Sequence, residues 1–168
     1  GAILLALGRV DEARAAWERG AALAIEQGRF QAQDCGCHHQ LIVHGIDRGW
    51  DVQAIVDEAW HHFDHGLIAW ARLLHGEVTG DDAAVVEAAT RLIGGPLPQD
   101  AGSSVDPRLY GPWPLVARAK AALRRGDAAA AVADLLAAEA EAPWVHEYRV
   151  LRQGAEALAA TSGTPRCA

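Results

Sequence analysis

At 168 residues the chain has material for one domain, or for a short run of repeats that share a core. Its net charge of −7 comes without a cluster of Lys or Arg, which excludes a nucleic-acid partner for this segment, because phosphate neutralisation supplies most non-specific affinity. Hydrophobic residues make up 51%, but alanine dominates them and period-two alternation is rare, so sheets are excluded and many closely packed helices are favoured.

Residues 1–23 (GAILLALGRVDEARAAWERGAAL) read as the back half of one helix, a turn at Gly8 and a second helix from Asp11. Leu4, Leu7, Val10, Ala13, Trp17, Gly20 and Leu23 recur at spacings of three and four, the period of a buried helical face. Gly8 suits the left-handed residue that ends a helix, and Asp11 and Glu12 suit the positive end of the next helix dipole. The same grammar returns at 115–143, with its turn at Gly126-Asp127.

In this register the chain resembles the tetratricopeptide-repeat family. That pattern has a small residue in the first helix and a Gly at the turn. Its second helix carries a small residue, a large one four on, another small one, and often a closing Pro. Gly1, Gly8, Ala13, Trp17 and Gly20 match in the first copy; Leu115, Gly126, Ala131, Leu135, Ala138 and Pro143 take those places in the second. The resemblance covers about a third of the chain. It implies an all-α fold of antiparallel helical hairpins stacked as a right-handed solenoid, with the first repeat truncated.

Between the copies the pattern degenerates. Residues 25–46 read as helix apart from Gly28 and a break at Cys35-Gly36-Cys37, and 45–50 read as a turn. Residues 51–65 read as one helix with Ile55, Ala59 and Phe63 on a face. Residues 67–74 and 83–93 form another pair around a turn at 76–82. The aromatic of the second helix is replaced by Glu58 in one unit and by Ala89 in the next. Residues 1–94 thus form one helical block. Residues 94–114 hold five of the seven prolines, so a loop without helix is expected over 95–114. A hairpin and capping helix follow over 115–160, with Val145, Tyr148, Leu151 and Leu158 facing inward, and then a frayed tail over 161–168.

Seven of the eight histidines lie between His38 and His75, beside Cys35 and Cys37. Residues four apart share a helix face, so Cys35 with His39, and His61 with His65, would supply four ligands of the kind tetrahedral zinc prefers. Against this, CxCHH is not a standard zinc spacing and Gly36 weakens the helix that presents it, so no metal or other cofactor is assigned. Cys37 near a His suggests a thiol nucleophile, but no orienting group or oxyanion device accompanies it. No phosphate-binding glycine loop occurs, so no catalytic residue is assigned and the chain reads as a non-enzyme.

The expected function is a non-catalytic protein–protein interaction or scaffolding module, the alternative being a zinc-binding helical domain that uses the Cys/His-rich region 35–65. The module's partner would be a protein or peptide held in a concave groove, with Trp60, His61, His65 and Trp70 as groove residues. By analogy with the family, such a module belongs to a larger bacterial signalling or transcription-regulatory protein; the missing initiator Met and the opening partway through a repeat point the same way. The odd, sparse cysteines point to the reducing cytoplasm, and no apolar run is long enough for a membrane span.

Overall fold

The computed structural model describes residues 1–94 and 111–162. Among these the chain is all-helical, without strands, in nine α-helices: α1 (Ala2–Ala6), α2 (Val10–Glu26), α3 (Gly36–Arg48), α4 (Gln53–His62), α5 (Gly66–Thr79), α6 (Asp82–Gly94), α7 (Trp113–Arg124), α8 (Ala128–Glu141) and α9 (His146–Ser162). A 3₁₀ turn at Ala32–Cys35 leads into α3. Most of the expected 95–114 loop and of the 161–168 tail lies outside the described residues.

Each helix packs on the next in the chain, and α5 also packs on α3 and α7. The cause is visible in the sequence periods. Ala13 and Trp17 of α2, and Ala131, Leu135 and Ala138 of α8, are buried at the spacings expected of them. Gly8 and Gly126, with φ of 73° and 80°, make the tight turns before α2 and α8. The Asp127 side chain accepts the Ala130 amide (3.0 Å) at the start of α8, and Asp81 accepts those of Ala83 and Ala84 (3.1 and 3.0 Å) at the start of α6, satisfying donors that the first helical turn leaves unpaired.

Several boundaries differ from the expectation. Gly36 is helical and opens α3, and the break falls earlier, where α2 ends at Glu26. Helix α4 stops at His62 instead of running to residue 65, because Phe63 turns extended (φ −116°, ψ 116°). Helix α5 continues through Gly76 to Thr79. Helix α7 starts inside the proline-rich stretch, at Trp113, because a proline in the first turn removes a donor that has no partner there anyway. Leu7, Leu23 and Leu158 are exposed. On α9 the inward stripe runs through Tyr148, Leu151 and Ala155; Leu158 continues that face, one turn beyond the cluster, and is exposed. In the α3–α4 hairpin the large buried ring is Phe63, while Glu58 stays at the surface.

Gly76 shows how closely these helices approach. A β-carbon there would lie 2.9 Å from Val85 Cγ2, 3.1 Å from the Asp81 carbonyl oxygen and 3.2 Å from the Val85 nitrogen. Two of those atoms are backbone and cannot swing away. Gly154 on α9 has open space at the same point. Gly76→Ala is expected to destabilise by about 1–3 kcal/mol through overpacking, whereas Gly154→Ala should stabilise by roughly 0.5–1 kcal/mol through helix propensity. Urea midpoints at constant m-value check both signs.

Candidate functional site

The structure brings two of the four proposed zinc ligands together and sets His61 apart. Cys35 Sγ lies 3.7 Å from His65 Nδ1 in a buried contact, but His61 sits at the surface, edge-on to His62 at 4.8 Å between ring centroids. The reason is the end of α4: once the backbone turns extended at Phe63, His61 and His65 no longer share a helix face. His65 instead caps α5, its Nδ1 accepting the Leu67 amide at 3.2 Å. Among the described residues no group of three or more His, Cys, Asp or Glu side chains could hold a metal ion, so none of the four is assigned as a ligand.

The same contact defines the chemistry of Cys35. The thiol is fully buried, and burial pushes its pKa up to about 11, with the nearby Asp34 charge acting in the same direction. His65 Nδ1 is already an acceptor for an amide, so it offers little to draw the proton off sulfur. Cys35 is a packed, protonated thiol, the opposite of an activated nucleophile. Cys37 packs at the α2–α3 crossing, where its Sγ would lie 2.5 Å from a β-carbon placed on Gly20.

The four proposed groove residues do not line one surface. Trp60 is half-buried beneath the guanidinium groups of Arg91 (3.6 Å to its ring centroid) and Arg72 (4.6 Å), and its Nε1–H donates to Glu87 at 3.3 Å. Arg72 in turn reaches Glu87 at 3.0 Å, so this ring joins α4, α5 and α6. His65 is buried, His61 is exposed, and Trp70 packs half-buried against the core formed by α5, α6 and α7.

Trp70 belongs to a different constellation. Trp70 and Glu77 are seven residues apart on α5 and share a helix face; Trp113 and Lys120 share one on α7 at the same spacing. Lys120 Nζ stands 5.5 Å from the Trp113 ring centroid. Burial raises the pKa of Glu77, and the charges of Lys120 and Arg124 oppose that rise, which sets the α5 face beside the α7 face. At this seam the half-buried Trp70 and Trp113 thus pack against one core from neighbouring helices, with Glu77 and Lys120 two turns further along the same faces. Sequence reasoning passed over Trp113 because it sits among prolines; the repeated seven-residue interval from Trp to a charged residue is the signal that marks it.

A second seam crosses the other side of α7. Arg118 grips Asp134 with two hydrogen bonds (2.8 and 2.7 Å) and Thr90 with a third (3.1 Å), tying α7 to α8 and α6. A groove of about 510 Å³ lies over this pair, walled by Val86, Ala122, Ala130 and Ala133. With its donors committed, Arg118 acts as a brace.

No protein-family model matches the chain, and neither does any curated protein or solved structure. No helix among the described residues is long and apolar enough to cross a membrane.

In the native state Cys35 is expected to resist alkylation by iodoacetamide at mildly alkaline pH and to react only after denaturation. Peptide mapping checks this; modification at the rate of a free thiol would contradict the buried, protonated assignment.

Proposed function

We propose that the chain is a non-catalytic helical-repeat interaction module, resembling a tetratricopeptide array, that holds a peptide along the face shared by its odd-numbered helices. The observation that carries this reading is the α5–α7 seam. Trp70 and Trp113 offer rigid, amphipathic rings, and Glu77 and Lys120 offer one charge of each sign to fix the orientation of a bound chain. The packing of α5 on both α3 and α7 supports a layer of odd-numbered helices, the arrangement that gives stacked hairpins an extended binding face. A place in a larger bacterial signalling or regulatory protein, in the cytoplasm, fits such a module by analogy with the repeat family alone.

The protonated Cys35, the dispersed histidines and the committed Arg118 give no nucleophile with a base and no oxyanion device among the described residues, which favours binding over catalysis.

The test is selection of peptides from a displayed random library on the purified chain, followed by calorimetry with the enriched sequences. Trp113→Ala and Trp70→Ala should each weaken binding by about tenfold or more, while Leu136→Ala, on the exposed side of α8, should leave it unchanged. Failure to enrich any peptide would favour a spacer that only positions other domains. Binding that ignores both tryptophans would place the site elsewhere.

A further inference from the structure

His38 is fully buried on α3, and neither ring nitrogen has a hydrogen-bond partner. Its Nε2 lies 3.4 Å from Glu58 Oε2 on α4, too poorly aligned to count as a bond, and its ring tilts against Phe63 at 4.9 Å between centroids. A neutral imidazole carries one N–H, and a buried donor without an acceptor is costly. A second proton doubles the demand and adds a charge that burial opposes.

The surroundings make this more than a local flaw. The chain between α2 and α3 is pinned to the end of α4 by Phe30, which stacks on His62 (4.7 Å, 9° between planes) and meets Phe63 edge-on (5.8 Å). His62, His38 and Phe63 therefore form one aromatic clasp that holds the α2–α3 connection against the α3–α4 hairpin. The two groups whose charge acts on His38 both come from α4: Glu58, which favours its protonation, and His62, which opposes it. The neighbouring Arg29 and Asp34 of the connection pair with each other at 2.6 Å.

From this geometry we infer that the clasp is an acid-sensitive latch: protonation of His38 releases Phe30 and opens the connection between α2 and α3 while the hairpins from α5 onward stay closed. The sign follows from linkage. Burial, the largest influence, lowers the proton affinity of His38 when the latch is closed, and an opened, hydrated imidazole returns toward its ordinary value of 6.5. The open form then binds the extra proton. Closure is favoured above that value and weakens as pH falls through the window below it, by up to about tenfold in population per pH unit for one group.

The experiment is amide hydrogen exchange of the whole chain, resolved by peptide and corrected for intrinsic rates, between pH about 7.5 and about 5.5. Peptides covering residues 27–45 and 53–65 should lose protection on acidification, and peptides from α7 and α8 should not. In Glu58→Gln the closed form loses the carboxylate that favours the proton, so opening should still begin near 6.5 but go further at each lower pH, shifting the midpoint upward. In His38→Gln the acid response of these peptides should vanish. If His38→Gln does not fold, the Glu58→Gln shift carries the decision. Uniform loss of protection across all helices, an unshifted Glu58→Gln profile, or an undiminished acid response in His38→Gln would each overturn the latch.

Discussion

The structure depends on the thinness of its core. Among the described residues, more than half of the buried hydrophobic ones are alanine. An alanine side chain hides little apolar surface by itself, so it contributes to stability only where two backbones come close. Close approach explains why glycine stands at Gly76, against the backbone of α6, and at Gly20, against Cys37. It also explains why helices pack on their chain neighbours: a narrow alanine stripe on one helix is completed by the next.

A thin core leaves its edges to larger groups, and the tryptophans and arginines sit there. Trp17 closes the α1–α2 end and stacks on His44 at 5.2 Å. Trp60 bridges α4 to α6 under two guanidinium groups, and Arg118 braces α6, α7 and α8. These contacts consume the polar groups that might otherwise be read as a catalytic or anion-binding site. Trp70 and Trp113 lie along faces of α5 and α7 that also carry Glu77 and Lys120, two turns further on. The histidines likewise resolve by position: His65 is a helix cap, His62 a stacking surface and His38 a buried base.

The helical class and the two best hairpins were legible in the sequence, because Gly8–Ala13–Trp17 and Gly126–Ala131–Leu135 carry a turn signal and a helical period together. The middle was harder. Gly36 and Gly76 look like breaks in a one-dimensional reading, yet both lie inside helices, Gly76 for the sake of a neighbour that only the packed structure reveals. The His61–His65 pair was lost for a similar reason. An i, i+4 pair requires an unbroken helix, and the extended residue at Phe63 follows from packing its ring into the core. Trp70 was read as a groove residue together with Trp60, His61 and His65, whereas Trp113 was hidden by the prolines around it.

Methyl NOE spectroscopy tests the central claim most directly, because that claim is a set of contacts between non-consecutive helices. The packing described here predicts cross-peaks linking α3 to α5 through the cluster of Ile42 and Ile68, and linking α5 to α7 through the cluster of Leu73, Ala117 and Ala121. Peaks within hairpins, such as Val116 of α7 with Leu135 of α8, serve as the internal reference. Strong peaks within hairpins with none between odd-numbered helices would show independent hairpins without a shared layer, and would remove the face on which the proposed function rests.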